Sequence, residues 1–394
     1  MDTVSWKMED GALVIALSGS IDSANAPEVE QTIRNAVAEN PAETILLDCD
    51  KLEYTTSAGL RIILRLKQEV DDTRIINAHP EVYEVLEMTG FTELMRVEKA
   101  YRVISVEGCE VIGQGANGKV YRIDPDTVLK AYHNPDSLPE IQRERELARL
   151  AFVAGIPTAI PYDVVRLEGG GYGAVYELLN ATSFAKLLSR GERTLDETVE
   201  MSIRLLRLIH SKEVKSDALP DMRAVALDWA EFLRDYLPDA LFQKLYALVE
   251  AVPDDPHMMH GDYHVKNVML QNGETLLIDM DTLCHGHPIF ELASMYNAYI
   301  GYGATDPTNV ERFLGIPRKM AEEFWKKSLS LYLGTEDEKT LAAVENKAKI
   351  IGYTRVMRRI IRRNGFDTPE GRAVIDHAKA MLTEFVPVTD TLLF

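Results

Sequence analysis

The sequence predicts two domains in series, an α/β unit over residues 1–99 and a larger, bilobal α+β unit over residues 100–394. Three observations carry this. Short apolar runs alternate with helical patterns through the first hundred residues, the mark of parallel strands joined by crossover helices. A glycine-rich turn, an apolar strand with a single lysine and a charged helix then follow in close succession. Far downstream come a polar loop near residue 262 and a strand ending at residue 279. At 394 residues the chain has room for two or three folding units, which suits a small domain followed by a two-lobed one.

In the first unit, residues 11–17 (GALVIAL) read as a strand, and residues 26–33 open a helix with a proline and acids in its first turn. Residues 44–48 (TILLD) form a second buried strand. Residues 54–64 (YTTSAGLRIIL) turn directly into another helix, with Ser57 or a neighbouring threonine at its N-terminus. Residues 74–77 and a helix over 81–88 complete the alternation. The joint, residues 96–102, is short and has no Gly, Ser or Pro linker, which implies a restricted relative orientation of the two domains.

The second unit carries the chemistry. Residues 112–121 (IGQGANGKVY) match G-x-G-x-x-G-x-V, a loop whose glycines let backbone N–H groups from Gly115 to Gly118 approach phosphate oxygens. Lys130 stands on the apolar strand 127–132, where an ammonium can reach the α and β phosphates of a nucleotide. In the helical pattern 140–150, Glu144 or Glu146 can pair with it. Far downstream comes His260-Gly261-Asp262-Tyr263-His264-Val265-Lys266-Asn267, followed by Leu277-Ile278-Asp279. Asp262 can orient an attacking hydroxyl, and Asn267 and Asp279 can hold magnesium, which prefers hard oxygen ligands. Each piece alone is also what an ordinary turn or a solvated strand would show. Their order, glycine loop, strand lysine, helix glutamate, Asp-to-Asn loop and strand-end aspartate, is the order that phosphoryl transfer uses.

On these motifs, residues from about 101 onward resemble the aminoglycoside phosphotransferase and choline kinase group, within the protein-kinase-like fold. The resemblance implies ATP and Mg as cofactors. It implies catalytic roles for Asp262, Lys130 and Glu144, magnesium on Asn267 and Asp279, and phosphate contacts from Gly113, Gly115, Gly118 and Lys130. Glu144 rather than Glu146 is chosen by counting back from Gly155-Ile156-Pro157, which is similar to the family's G-V-P. Residues 174–179 (AVYELL) would be the strand and hinge between the lobes, with adenine contacts near Glu177 and Leu179. Residues 205–210 resemble the helix end before the catalytic region. Residues 286–293 (GHPIFELA) look like the family's G-D-P-x-x-D-L-A, with His287 and Glu291 in place of aspartates. Glu291 keeps the carboxylate and His287 does not.

The first unit resembles the STAS domain of bacterial anti-sigma factor antagonists. The residues that carry it are 17–22 (LSGSID), the turn Ser57-Ala58-Gly59-Leu60, and 88–91 (MTGF). In those antagonists a serine at the helix N-terminus in D-S-[ST]-G-L is phosphorylated, which marks Ser57, although Thr56 stands where the motif has aspartate. A helix N-terminus favours a phosphate through its free N–H groups and dipole. Ser57 is equally suited to capping the helix.

A net charge of −19 and the lack of a basic tail argue against nucleic acid and anionic membrane as main partners. Cys49, Cys109 and Cys284 do not form a disulfide framework, and the chain has no apolar run long enough to span a bilayer, so a cytoplasmic location is expected. Cys284-His285-Gly286-His287 lacks a second ligand pair at finger-like spacing. The aromatic stripe Tyr296, Tyr299 and Tyr302 reads as core, or as a surface for a cationic ligand. Against the overall acidity stand Arg355, Arg358, Arg359, Arg362 and Arg363, at spacings of three and four. They form either a solvated helix face or a receiver for an anion. The anion would be an acidic substrate group or the N-terminal domain, whose own net charge is about −10.

Two functions fit. One is an ATP- and Mg-dependent phosphotransferase acting on a hydroxyl of a small molecule, with the STAS-like domain as sensor or docking module for a protein partner. The other is a signalling protein kinase that phosphorylates Ser57 or a partner protein. A nucleotide-binding scaffold without turnover is disfavoured by the intact lysine and carboxylates.

Overall fold

The computed structural model describes residues 3–115, 118–215 and 218–394. Two compact units emerge: Met1–Glu107 with Val164–Gly170, and Gly108–Asp163 with Gly171–Phe394.

The first unit is built on a five-stranded sheet in the order β1-β2-β3-β4-β5. Strand β1 (Val4–Glu9) runs antiparallel to β2 (Ala12–Ile21). Strands β2, β3 (Thr44–Thr55), β4 (Asp72–Ala78) and β5 (Val97–Lys99) are parallel. Helices α1 (Ala26–Glu39), α2 (Ser57–Glu69), α3 (Pro80–Met88) and α4 (Phe91–Leu94) supply the crossovers. Leu13, Ile15 and Leu17 on β2 and Ile45, Leu47 and Cys49 on β3 alternate into the core. Each such Leu or Ile stabilises the unit by roughly 1.5–3 kcal/mol relative to exposure. Helix α1 answers with Val29, Ile33 and Ala36, one face at helical spacing. Strand β1 was not foreseen from the sequence. It is an edge strand with only Val4 buried, so no apolar alternation betrays it.

At the N-terminus of α2 the capping residue is Thr56, whose hydroxyl accepts the Ala58 N–H at 3.3 Å. Ser57 is the first helical residue and is exposed. The expectation that Ser57 caps the helix is therefore corrected: the adjoining threonine has the extended backbone that a cap needs. Gly59 is required one turn on, because a Cβ there would lie 2.3 Å from Thr55 Oγ1.

Strand β6 (Val103–Ile104) pairs in parallel with Arg166 and Leu167 at the end of β10 (Pro161–Leu167). In the second unit, β7 (Glu110–Gln114) and β8 (Gly118–Asp124) form a hairpin. Strand β8 pairs with β9 (Thr127–Tyr132), and β9 pairs with β11 (Tyr172–Glu177), all antiparallel. Helix α5 (Leu138–Val153) follows β9. A short strand β12 (Thr182–Ser183) leads into helices α6 (Phe184–Ser189), α7 (Leu195–His210), α8 (Met222–Phe232) and α9 (Asp239–Glu250). Two small ladders come next: β13 (Met258–Met259) with β16 (Cys284–His285), and β14 (Val268–Gln271) with β12 and β15 (Glu274–Leu277). The chain ends in α10 (Ile289–Tyr299), α11 (Thr308–Leu314), α12 (Arg318–Leu333), α13 (Glu338–Arg362) and α14 (Pro369–Phe385).

Helix α10 lies at the centre of this bundle, with all 11 residues buried. A helix buried on every side must satisfy its polar groups internally. Glu291 and Ser294 do so on the loop at residues 260–262, and Asn297 donates its Nδ2 to the Gly352 carbonyl of α13 at 3.0 Å, while its Oδ1 is left without a partner. Two glycines admit Asn297, since a Cβ on Gly301 or Gly352 would lie 2.7 Å from its Oδ1. Tyr296 and Tyr299 are core residues, whereas Tyr302 is half-buried, so the aromatic stripe is split. No described helix is long and apolar enough to cross a membrane.

Candidate active site

A cleft of about 560 Å³ in the second unit gathers most of the residues singled out from the sequence: Gly115, Gly118, Lys130, Glu144, Glu177, Leu179, Asp262, Asn267 and Asp279. Gly113 is not among its lining residues. It sits at an irregularity in β7, with Val120 beside it, so its place in the pattern reflects the hairpin rather than the cleft.

The hairpin also corrects the reading of the glycine loop. Gly115 gives its N–H to the Gly118 carbonyl at 2.9 Å, so that donor closes the turn and is not free for a phosphate. Gly118 is needed for close packing, since a Cβ would stand 2.2 Å from the Ala131 carbonyl oxygen of β9. The loop tip, residues 116 and 117, lies outside the described residues.

Lys130 on β9 and Glu144 on α5 form a tight pair, with Nζ to Oε1 at 2.6 Å. Glu144 is buried and accepts further hydrogen bonds from the hydroxyls of Tyr132 and Tyr176. Asp279 lies 3.5 Å from Lys130 on its other side. Burial works to lower the Lys130 ammonium, but the Glu144 and Asp279 charges outweigh it and hold its pKa above the ordinary value. Glu146 instead pairs with Arg149, at 2.7 Å, which settles the choice between the two glutamates.

At the hinge, the Glu177 N–H donates to the Ile160 carbonyl at 3.0 Å and the Leu178 N–H to Asp126 at 2.8 Å. Among the described residues the Leu179 N–H has no protein partner. Val120 and Val128 from the sheet, with Met269 and Ile278 from the other lobe, give the same cleft apolar walls suited to a planar base.

Asp262 is set by its loop. Gly261 has a left-handed φ of 81°, and a Cβ there would lie 2.4 Å from the Thr282 carbonyl oxygen. Burial works to raise the Asp262 carboxyl, but His264, with Nε2 at 3.5 Å, and the charges of Arg355 and His260 hold it down at about 2. Asp262 is therefore ionised at neutral pH. Asn267 donates its Nδ2 to the Asp262 backbone carbonyl at 3.0 Å, which turns Nδ2 away and leaves Oδ1 as the oxygen it can offer. Asp279 follows β15 in a left-handed conformation, φ 68°, at the start of a tight turn.

The donor set fits a hard divalent cation: one amide oxygen and one carboxylate, with the strongly acidic surroundings that such an ion neutralises. The strain shows at Asp281. Burial and the adjoining Asp279 and Glu144 carboxylates push its carboxyl up to about 7. The Asp279 and Glu144 charges are the part of this shift that a cation bound beside them would relieve.

Several residues that hold the site carry no sequence signal of their role. The Glu291 carboxylate, fully buried, accepts the backbone N–H of His260 at 2.6 Å and that of Gly261 at 3.1 Å. Burial works to raise it; His210, 3.8 Å away, and these donors hold it below the ordinary carboxylate range. At that distance His210 acts through charge, so the backbone donors are the firmer anchors. Ser294 Oγ donates to the Gly261 carbonyl at 2.9 Å and Arg355 to the same oxygen at 3.1 Å. The Tyr299 hydroxyl oxygen accepts the Val265 N–H at 3.0 Å. A helix contact thirty residues away cannot be read from spacing within a motif.

Segment 284–287 does not assemble a metal site of its own. Cys284 is buried, and His287 accepts the Ile289 N–H at 3.2 Å at the start of α10. His285 alone groups with carboxylates, those of Asp221 and Asp254.

The comparisons with known proteins agree with this geometry. The phosphotransferase enzyme family matches residues 108–321, and the STAS domain matches residues 4–103. The first unit is similar to a protein named as an anti-sigma factor antagonist, BtrV, of Bordetella bronchiseptica, with 34% identity over 92 residues. That match covers 22% of this chain and 78% of the relative. It is also similar to the anti-sigma F factor antagonist of Paenibacillus polymyxa, at 26% over 91 residues, with the same coverage of 22% and 78%. Among solved structures, a thermostable variant of the aminoglycoside phosphotransferase APH(4)-Ia, in a ternary complex with ADP and hygromycin B, aligns with a TM-score of 0.50. The identity is 12%, over 77% of this chain and 97% of that one, a likeness of fold. The chain belongs to the phosphotransferase enzyme family and carries an N-terminal STAS domain.

Proposed function

We propose that this protein is an ATP- and magnesium-dependent phosphotransferase that moves the γ-phosphoryl group to a hydroxyl of a small molecule, with a regulatory STAS domain over residues 1–99 and a kinase domain over residues 100–394. The observation that carries the reading is the convergence in one cleft of a salt-bridged lysine, an ionised aspartate, and the side chains of Asn267 and Asp279.

Lys130, fixed by Glu144, holds the α and β phosphates, and the hinge at Glu177 and Leu179 receives the base. Asn267 and Asp279 would hold magnesium, which would supply charge neutralisation for the phosphates. Asp262 accepts a hydrogen bond from the acceptor hydroxyl and aligns its oxygen with the γ-phosphorus. The new oxygen–phosphorus bond forms as the bond to the β-phosphate oxygen breaks, and ADP leaves. With a carboxyl at about 2, Asp262 is a weak base, so its main work is alignment; the hydroxyl proton passes to it late and then to solvent.

A second reading rests on Ser57. It is exposed, and Thr56 performs the capping, which leaves the Ser57 hydroxyl available to a kinase, this one or another. Incubation with magnesium and γ-labelled ATP, without acceptor, separates the two. Label on Ser57 that disappears in both Asp262→Asn and Ser57→Ala supports the signalling kinase. No label, with nucleotide binding intact, leaves the small-molecule reaction.

A further inference from the structure

The arginine run does not act as one face. Arg355 serves the loop through the Gly261 carbonyl, and Arg358 is paired with Asp228 at 2.8 Å. Arg359, one turn beyond Arg355 on α13, and Arg363, the residue that caps the C-terminus of α13, line a second cavity of about 400 Å³. Its other polar edges include Arg312 and His377, and no carboxylate is among its lining residues. In a chain of net charge −19 that is a marked local reversal.

The cations differ in how free they are. Arg312 is neutralised by Asp306 at 2.5 Å, and His377 Nε2 lies 3.2 Å from the Tyr353 hydroxyl. Arg359 touches only the Tyr302 hydroxyl, at 3.3 Å, and among the described residues neither Arg359 nor Arg363 has a carboxylate within ion-pair distance. Two guanidinium groups four residues apart repel each other unless an anion lies between them.

Position links this cavity to the proposed reaction. Phe313 lines both it and the nucleotide cleft, packing edge-on to His264 at 4.9 Å and to Tyr302 at 5.3 Å. Along α13 the axial rise from Arg355, which holds the loop of Asp262, is about 6 Å to Arg359 and about 12 Å to Arg363. A small molecule with its anionic end at these arginines thus has its other end within reach of Asp262. Tyr302, Phe313 and Tyr353 line this cavity, and its volume suits a small ligand rather than a domain surface.

We propose that the acceptor is an anionic hydroxylated small molecule, whose phosphate or carboxylate is held by Arg359 and Arg363 while its hydroxyl is presented to Asp262. This deepens the phosphotransferase reading and rests on it for the hydroxyl's fate. Cationic acceptors such as amino alcohols and aminoglycosides are disfavoured by the same two charges.

The test is calorimetry on the full chain loaded with ADP, using glycerol 3-phosphate, glycerate and choline as probes, in wild type, Arg359→Gln/Arg363→Gln and the charge-retaining Arg359→Lys/Arg363→Lys. The expected result is saturable binding of at least one anion, weakened about tenfold or more in the glutamine variant and partly restored by lysine, with ADP affinity unchanged. Glycerol 3-phosphate or glycerate as the tighter probe distinguishes a phosphate from a carboxylate. Absence of anion binding, equal binding in the glutamine variant, or binding of choline instead overturns the proposal. ADP release from ATP is followed separately. Anion bound at the arginines without any turnover leaves the anion site standing and removes its assignment as the acceptor site; turnover with choline and neither anion overturns the inference and leaves the phosphotransferase reading.

Discussion

Glu291 and Gly261 lie thirty residues apart in sequence, yet the buried Glu291 carboxylate accepts the Gly261 N–H at 3.1 Å and so fixes the loop that carries Asp262. The neighbouring His260 N–H meets the same carboxylate at 2.6 Å. A glutamate on the central helix α10 thus sets the geometry of a carboxylate it never touches.

Glu291→Leu removes the acceptor of two backbone donors. Leaving both unmet in a dry site costs about 3 kcal/mol of stability. Chemical denaturation should show that loss, and kcat should fall with ADP affinity nearly unchanged. A variant as stable and active as wild type removes Glu291 from the account.

Lys130→Met leaves Glu144 buried with only Tyr132 and Tyr176 as partners. We expect a loss of about 3 kcal/mol and a drop in kcat/KM for ATP of roughly a hundredfold. Adding Glu144→Gln should restore much of the stability and none of the activity. Restored activity would place the lysine's role in folding alone.

The two cleft glycines of the hairpin should respond differently. Gly118→Ala drives a Cβ against the Ala131 carbonyl, whereas Gly115→Ala meets nothing within 4 Å. The first should lower the melting temperature and raise KM for ATP; the second should leave the melting temperature within a degree or two, as an open surface substitution does. Equal effects would contradict the packing described.

Asp262, held at about 2 against an ordinary 3.8, favours the fold in its ionised form. That contribution is present above pH about 4 and is lost as pH falls through 2. Denaturation midpoints between pH 5 and pH 2 should therefore decline more steeply in wild type than in Asp262→Asn. Parallel curves would show that the carboxyl is not depressed.

Burial pushes the Cys49 thiol up to about 12, so it remains protonated at pH 8. Iodoacetamide and peptide mass spectrometry should find Cys109 modified in the native protein and Cys49 only after unfolding. Native modification of Cys49 would mean that the core of the first unit opens readily.

Much of this was legible in the sequence because the motifs are local and their chemistry is fixed by residue type. The alternation that exposed the first unit comes from strands buried on one repeating face, as at Leu13, Ile15 and Leu17. Lys130, Glu144, Asp262, Asn267 and Asp279 could be ordered because phosphoryl transfer uses them in that order. What stayed hidden depends on contacts between distant segments. Glu291 was visible only as a retained carboxylate, and Phe313 not at all. The arginines at 355–363 looked uniform, yet four residues of helix separate one that holds a backbone carbonyl from one that lines a cavity. Reversing Arg358 and Arg362, the choice that spacing alone suggests, would break the Asp228 pair and leave Arg359 and Arg363 in place. At Ser57 the capping role fell to Thr56, a choice between neighbours that only the backbone angle decides.

The central claim is tested most directly by acceptor-dependent ADP formation in wild type and in Asp262→Asn, with ADP binding measured on the same samples. The account predicts turnover in wild type with a hydroxylated acceptor, a rate about a hundredfold or more lower in the variant, and nucleotide affinity alike in both. A variant that retains the wild-type rate, or a wild type that binds nucleotide and turns over with no hydroxylated acceptor, would contradict it.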